Sequence, residues 1–208
     1  MSGRHFYLDS TQKAVADAVE RIESRTGAEV VVAVRPRSSV YRHTDYLVGF
    51  AFTMAGLCFF LFYPVTFDND AFPIEALILF LAGVFISANV PDVRRLLTLP
   101  SVRHAAVTTA ARAAMIELGI TRTRERTGLL VYVSVFERTV EVVADVGLDE
   151  LSKHDSFHAA VKSLNAAVHP PHVDRFIAAL ESMGQALEAC APRRDDDVDE
   201  LPNAPRMS

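Results

Sequence analysis

Two apolar runs joined by a short polar link constrain this chain more than any other feature of its sequence. The first, residues 46–63, reads YLVGFAFTMAGLCFFLFY and contains no charged residue. As a helix with a rise of ~1.5 Å per residue it spans about 27 Å, close to the ~30 Å hydrocarbon core of a bilayer. The second, residues 76–90, is also uncharged and spans about 22 Å. Extending it back to Phe72 restores the length and places Glu75 near the lipid headgroups.

These runs predict a hairpin of two membrane-spanning helices, at about residues 46–63 and 72–90. Neither run has an apolar stripe opposite a charged one, as a helix on the surface of a soluble protein does. Pro64 ends the first run, and the link is short enough to make the helices antiparallel. Ala51 and Ala55 form a small-xxx-small pair that permits close contact between helices. The alternative is a buried helical pair in the core of a soluble oligomer.

Charge around the hairpin predicts its orientation. The link contains Asp68 and Asp70 but no lysine or arginine, whereas both outer ends are flanked by arginines: Arg35, Arg37, Arg42, Arg94, Arg95 and Arg103. Because positive charge near helix ends favours the cytoplasmic side, both termini are expected in the cytoplasm, with the hairpin in the cell (inner) membrane. The lipid bilayer is therefore a predicted partner. Residues 92–97 are expected to lie along its surface, with Arg94 and Arg95 near the headgroups.

The sequence before the hairpin predicts one helix and one strand. The helix is capped by Ser10 or Thr11 and runs to about Arg25. Its apolar residues recur at helical spacing, at Ala14, Val15, Ala18, Val19 and Ile22. The valine-rich segment Ala28–Val34 follows. Its apolar residues do not alternate with polar ones, which predicts a central strand buried on both faces.

A helix and two antiparallel strands are predicted after the hairpin. The alanine-rich helix covers residues 101–118, with five residues available for packing: Val102, Ala105, Ala106, Ala113 and Ile116. The strands are Leu129–Phe136 and Thr139–Val146, joined by a two-residue turn at Glu137 and Arg138. Val140, Val142 and Ala144 are expected on one face of the second strand, since side chains alternate along a strand.

Two further helices, Asp149–Val168 and Val173–Cys190, complete the predicted α/β domain. A parallel pairing of the first strand with the second requires a long crossover, and the hairpin lies within that connection. The predicted organisation is therefore the first helix and strand, the hairpin, the remainder of the domain and a disordered acidic tail, at residues 1–43, 44–91, 92–190 and 191–208.

Several segments resemble the TPM domain, a small α/β module of membrane-associated proteins. Residues Glu20–Val34 are similar to its opening helix and strand. Residues Leu118–Val133, then Glu137 with Arg138, then Val142–Gly147 are similar to its helix end, central strand and returning strand. The matches keep the order of the family and lie on both sides of the hairpin.

This resemblance implies a small α/β/α sandwich tethered to a membrane, here interrupted by a two-helix transmembrane hairpin. In several family members such a domain supports the assembly or repair of membrane complexes. Phosphatase activity and divalent-metal binding are attributed to some plant members. Two functions follow as expectations. The first is a non-catalytic accessory that binds or stabilises an unidentified membrane protein complex, and the alternative is a metal-dependent, membrane-bound phosphatase.

Three acidic residues at the end of the last predicted strand and just beyond it are candidates for catalysis or metal binding: Asp145, Asp149 and Glu150. Ligands of open α/β sheets bind at the carboxyl ends of strands, and carboxylate oxygens suit hard cations. The alternative is structural. Asp145 is then a polar strand position, while Asp149 and Glu150 stabilise a helix N-terminus.

His154 and His158 are four residues apart and share one face of the predicted helix. Two such imidazoles can bind zinc, with His169 or His172 as a third ligand. The spacing is not HExxH, since no glutamate lies between the two histidines. The alternative is a solvated helix face. No cofactor is predicted, and a divalent metal is the one alternative left open.

The polar connector before the second strand contains Arg122, Arg124 and Arg126, which are candidates for binding anions or lipid headgroups. This gives a third hypothesis, an anionic lipid sensor; the alternative is a connector that only aids solubility. The net charge of −5 argues against nucleic acid as a partner. The sequence contains no G-x-S-x-G, P-loop or G-x-G-x-x-G motif, the usual signatures of hydrolases and nucleotide-binding proteins.

Overall fold

A computed structural model describes residues 3–62, 71–194 and 200–207. The chain divides into two compact units. The first combines Met1–Ser39 with His104–Ser208, and the second is Val40–Arg103. Helices and a four-stranded mixed sheet make up the described chain, which confirms the predicted α/β class.

The elements are numbered in chain order. The strands are β1 (Glu29–Arg35), β2 (Gly128–Ser134), β3 (Thr139–Ala144) and β4 (Arg206–Met207). The helices are α1 (Asp9–Glu23), α2 (Arg42–Phe62), α3 (Phe72–Asn89), α4 (Pro91–Leu97), α5 (Pro100–Glu117), α6 (Asp155–Ala167) and α7 (Val173–Cys190). Within the described residues, 3₁₀ segments lie at Gly3–Tyr7, Ile120–Arg122 and Val146–Lys153.

The first unit is built on the sheet, whose strand order is β3-β2-β1-β4. β1 is parallel to β2 and to β4, and β3 is antiparallel to β2. Val30, Val32 and Val34 pack in a core with residues of α1, α6 and α7. Val31 and Ala33 pack in a second core with residues of α5. Helices therefore cover both faces, which is why β1 carries a valine run without alternation.

The start of α1 differs from the prediction. The helix begins at Asp9, so Ser10 and Thr11 lie inside its first turn, and Leu8 is the N-cap residue without a side-chain cap. The carbonyl of Leu8 accepts hydrogen bonds from the amides of Thr11 and Gln12. Thr11 is buried, so its side chain packs within the fold and the predicted cap is wrong.

The turn between β2 and β3 is longer than predicted. Ser134 pairs with Thr139, which leaves residues 135–138 in the turn, and Arg138 has a φ of 51°. The amides of Val135 and Phe136 donate to the carbonyls of Arg35 and Pro36. The chain therefore follows β1 for two residues beyond β2 before it reverses, and this delays the turn.

The predicted helix Asp149–Val168 is two elements. Val146–Lys153 is a 3₁₀ segment, and α6 begins only at Asp155, after His154 in an extended conformation. Leu148 and Leu151 are both buried. The backbone at Leu148 is not helical, with φ −112° and ψ 19°, so the segment is kinked where the predicted helix was expected to be continuous.

The packing face of α5 is also different. Its buried residues are Val107, Ala111, Ala114 and Met115, whereas Ile116 is 69% exposed. Most of the residues predicted for packing lie on the exposed side, including Val102, Ala105 and Ala113. Alanine occurs all around this helix, so its sequence does not distinguish one face from the other.

The predicted disordered tail contributes to the sheet where it is described. Arg206 and Met207 pair with Ala33 and Val34 of β1. The amides of Glu200 and Leu201 donate to the carboxylate of Glu29, at 3.3 and 3.0 Å. Residues 195–199, which contain much of the predicted acidic run, lie outside the described residues.

The second unit contains α2 and α3, two helices long and apolar enough to cross a membrane. This confirms the length and composition expected of the hairpin. α2 begins at Arg42, four residues before the predicted start. Gly49 lies against Gly83 and Phe60 lies against Phe72, so the helices are antiparallel. The predicted link, with Asp68 and Asp70, lies outside the described residues.

Glycines bring α2 and α3 together. A Cβ atom on Gly83 would lie 2.8 Å from the Cα atom of Gly49, and one on Gly49 would lie 2.8 Å from the carbonyl oxygen of Phe80. The predicted pair Ala51 and Ala55 is exposed and takes no part in this contact. Close approach of small residues is a common way to pack helices in membranes.

We expect the substitution Gly83→Val to destabilise the pairing of α2 with α3. The new side chain overlaps the backbone of the facing helix, at a cost of roughly 1–3 kcal/mol. Thermal unfolding of the full chain in detergent, followed by circular dichroism, measures this loss. Ala88→Val, at an exposed position of α3, is the matched control. An equal loss in both variants would contradict the glycine contact.

Candidate functional site

The predicted acidic site is occupied by an arginine. Asp145 follows β3 and is buried. Arg126 donates to both of its carboxylate oxygens, from Nε at 2.6 Å and from Nη2 at 2.8 Å. The amide of Val146 donates to Oδ1 at 2.8 Å. This arrangement is a bidentate ion pair, the strongest geometry for an arginine and a carboxylate.

The ion pair changes the pKa of both partners. Hydrogen bonds from Arg126 hold the pKa of Asp145 below its ordinary value of 3.8; burial opposes this effect, and the amide of Val146 adds to it. The hydrogen bond to Asp145 raises the pKa of Arg126 in turn. Asp145 is therefore ionised at neutral pH, which is unlike the raised pKa that a catalytic acid needs.

The local backbone holds the pair in place. Arg126 has a φ of 58°, and its carbonyl accepts a hydrogen bond from the amide of Gly147 at 2.9 Å. A Cβ atom on Gly147 would lie 2.6 Å from that carbonyl oxygen, so only glycine fits there. The amide of Asp145 donates to the carbonyl of Gly128. The connector and the end of β3 are thus joined by backbone and side-chain bonds.

The other candidate carboxylates have separate surroundings. Asp149 is exposed, and Glu150 is bonded to Lys153 at 2.6 Å on the surface. Among the described residues, no group of three His, Cys, Asp or Glu side chains is placed to hold a metal ion. The residues present at Asp145 therefore fit a structural ion pair better than a cation site.

The predicted pair of histidines does not share a helix face. His154 has φ −91° and ψ 127° and precedes α6, whereas His158 lies in its first turn. The Nε2 atom of His158 is 2.8 Å from the carbonyl oxygen of Ser152. His169 lies 3.4 Å from the carbonyl oxygen of Arg138 through Nδ1. The predicted helical geometry for zinc is wrong, because the helix begins after His154.

The arginines of the connector have different positions. Arg126 forms the ion pair with Asp145, whereas Arg122 and Arg124 have exposed side chains. The amide of Arg124 donates to the carboxylate of Glu200 at 3.0 Å. An anion patch made of all three guanidinium groups would have to compete with a buried carboxylate for Arg126.

A polar network that the sequence did not indicate lies at the carboxyl ends of β1 and β2. Ser38 donates from its amide to Glu137 at 3.0 Å and from its hydroxyl to Ser134 at 2.8 Å. Ser134 donates to the carboxylate of Glu137, and the hydroxyl of Tyr132 is 3.2 Å from that of Ser38. Tyr132, Ser134 and Glu137 are buried, and burial raises the pKa of Tyr132.

This network lies where ligands of parallel α/β sheets bind. Its groups hydrogen-bond to one another, so the arrangement fixes the turn after β2 against the segment that follows β1. The sequence signal was weak, because Ser38 and Glu137 are 99 residues apart. Serine is also common in turns, so Ser38 by itself did not indicate a network.

A second unpredicted network lies in the second unit, at the end of the hairpin where α2 begins. Asp45 accepts hydrogen bonds from Arg94 at 2.9 and 2.8 Å and from Ser87 at 2.7 Å. The hydroxyls of Thr44 and Thr98 are 3.0 Å apart. Arg94 was expected near the headgroups, but its guanidinium is directed inward to a buried carboxylate. This network joins α2, α3 and α4.

The sequence matches none of the family models and none of the curated proteins with which it was compared. The structure is similar to the NMR structure of the BA42 protein from the psychrophilic bacterium Bizionia argentinensis. The TM-score is 0.58 at 17% sequence identity, over 97% of this chain and 94% of that chain. At this identity the similarity shows a shared fold and nothing of function.

We expect Asp145→Asn to lower the stability of the full chain by roughly 1–3 kcal/mol near neutral pH, because charge-assisted bonds are lost at a buried position. The pKa of Asp145 is lowered by folding, so its contribution is complete above the ordinary value of 3.8 and is lost as the pH falls through the folded-state pKa. The difference in unfolding midpoint between wild type and variant should be constant at about pH 5–8 and shrink below about pH 4.

Glu150→Gln is the control for this measurement, since its ion pair with Lys153 is exposed. Exposed pairs contribute little, so its unfolding midpoint should match the wild type. A difference for Asp145→Asn that does not change with pH would mean that the ion pair contributes nothing to stability.

Proposed function

We propose that the protein is a membrane-anchored accessory protein. A TPM-like α/β unit, carried by a two-helix transmembrane hairpin, binds or stabilises a membrane protein complex at the cytoplasmic face of the cell membrane. The bilayer and an unidentified membrane protein are its partners, and its role is non-catalytic. Three observations support the proposal: the apolar surface of the hairpin, the charges around it and the ion pair at the predicted acidic site.

The distribution of exposed apolar side chains carries the proposal. Among the described residues, all but three of the exposed large apolar side chains belong to Val40–Arg103, and the exceptions are Leu8, Ile116 and Val146. The first unit buries its apolar residues in two cores of its own. A surface as apolar as that of α2 and α3 is unfavourable in water and suits lipid.

Charge supports the orientation. The end of the hairpin near Arg42 carries four arginines and two aspartates in the second unit, and its described opposite end carries Glu75. Two of the arginines, Arg94 and Arg95, are paired with aspartates. Arginine near the ends of membrane helices favours the cytoplasmic side, which supports cytoplasmic termini.

The Asp145–Arg126 pair favours the accessory role over the phosphatase. A metal-dependent phosphatase at this position needs carboxylate oxygens free to coordinate a cation. Both oxygens of Asp145 accept hydrogen bonds from Arg126, so metal binding would have to break a bidentate pair. The segments that resemble the TPM domain include most of β1 and β2 and the second half of β3, and these strands pair in the sheet.

Single-cysteine labelling tests the orientation. In a background without Cys58 and Cys190, Ser39→Cys and Asn69→Cys are treated in intact cells with a reagent that does not cross membranes. Asn69 lies in the link, outside the described residues, and Ser39 lies before α2. We expect reaction at position 69 only, because the arginines keep the other end inside.

Reaction at Ser39→Cys but not at Asn69→Cys would invert the proposed orientation. Labelling both variants again after the cells are permeabilised is the control, and it shows that each cysteine is reactive. Labelling at neither position before permeabilisation would instead favour the buried helical pair.

Native size in mild detergent tests the accessory role. We expect the protein extracted from cells to migrate in a complex larger than the purified chain at the same concentration, since an accessory protein is held by its partner. Gentle cross-linking before extraction should retain the complex. The purified chain, run alone, is the control that separates self-association from binding to another protein.

A monomer from cells would contradict the accessory role. The phosphatase would gain support if the purified protein hydrolysed a generic phosphomonoester only with a divalent metal. It would be established if Asp145→Asn abolished that activity while the unfolding transition persisted.

A further inference from the structure

Three leucines at the base of the hairpin are exposed. Leu96, Leu97 and Leu99 are 84%, 46% and 66% exposed, at the end of α4 and in the turn that follows it. We call these three residues the leucine turn. Adjacent leucines without cover are unfavourable in water, so the leucine turn requires an apolar environment.

The orientation of α4 within its unit is fixed by buried polar bonds. Arg94 lies on the side of α4 that faces Asp45, and Thr98 bonds to Thr44 on the same side. Leu96 is two residues from Arg94 and projects from the opposite side of the helix. Because the polar bonds hold one side of α4 against the hairpin, Leu96 faces away from it, and Leu99 lies beyond the end of α4.

The position of the leucine turn along the chain limits what can cover it. α3 ends at Asn89 and α4 begins at Pro91, so α4 starts where the second candidate span ends. Arg95 directly precedes Leu96, and Arg103 is four residues after Leu99. Arg42 belongs to the same unit. Leucines beside arginines at the end of a span are typical of segments that lie in the membrane interface.

We propose that the leucine turn inserts into the lipid leaflet next to the base of the hairpin, so that α4 is a membrane contact in the plane of the bilayer. This inference rests on the proposed membrane anchorage, and it adds a lipid contact at α4 to those proposed for α2 and α3. The leucines lie among the acyl chains, and the exposed arginine Arg42 lies at the level of the phosphates. Arg94 is not part of this contact, because Asp45 holds it.

Depth-dependent fluorescence quenching tests the proposal. The sequence contains no tryptophan, so a fluorescent label on one introduced cysteine reports its own position. Leu96→Cys and Leu99→Cys are made in a background without Cys58 and Cys190. The full chain is reconstituted in vesicles of phosphatidylcholine and phosphatidylglycerol. Quenchers are lipids with brominated acyl chains and iodide in the water.

Two reference positions calibrate the result. Leu81→Cys reports the exposed surface of α3, and Asp17→Cys reports the exposed surface of α1. We expect labels at 96 and 99 to be quenched by brominated chains to within twofold of the label at 81. Iodide should quench them several-fold less than the label at 17. Leu97→Cys replaces either variant that fails to reconstitute.

The outcomes separate this inference from the proposed anchorage. Quenching by iodide at 96 and 99, with quenching by lipid at 81, would overturn the leucine turn and leave the hairpin intact. Protection at 96 and 99 from both quenchers would also overturn it, since a second copy of the chain would then cover the leucines. Quenching by iodide at 81 would overturn the anchorage itself.

Discussion

The parallel pairing of β1 with β2 is the constraint on which the rest of the structure depends. The two strands pair over seven residues, from Glu29 with Gly128 to Arg35 with Ser134. Parallel neighbours require a long connection, because the chain must return to the end of the sheet from which it started. Residues 36–127 make that connection, and the whole second unit lies within it. A unit inserted in this way leaves the core of the first unit continuous.

Both units use the same means to join segments that are distant in sequence. In the first, Arg126 binds Asp145, and in the second, Arg94 binds Asp45. Each pair is bidentate, and each carboxylate also accepts one further hydrogen bond, from Val146 or from Ser87. Planar donors and acceptors of this kind fix orientation as well as distance. Of the candidate residues in the first unit, Asp145 and Arg126 thereby become elements of its architecture.

Elements with a strong sequence pattern were predicted correctly. Features that depend on tertiary contacts between distant segments were not. The valine run of β1 and the uncharged runs of the hairpin indicate their structures without knowledge of the rest of the chain. The packing face of α5 does not follow from its sequence, because alanine is acceptable on any side of a helix. β4 likewise could not be predicted from the sequence, since Arg206 and Met207 form a strand only by pairing with the backbone of β1. The Asp45 network was missed because the predicted run began one residue later, at Tyr46.

The insertion of one unit within the other has a consequence for biosynthesis. A ribosome extends a chain at ~5–20 residues per second, so on the order of 5–20 seconds separate the emergence of β1 from that of β2. The apolar helices α2 and α3 emerge during this interval, before β1 has its neighbour. α1 and β1 therefore remain without a sheet neighbour throughout this interval, and the first unit completes its sheet only after both apolar helices have been synthesised.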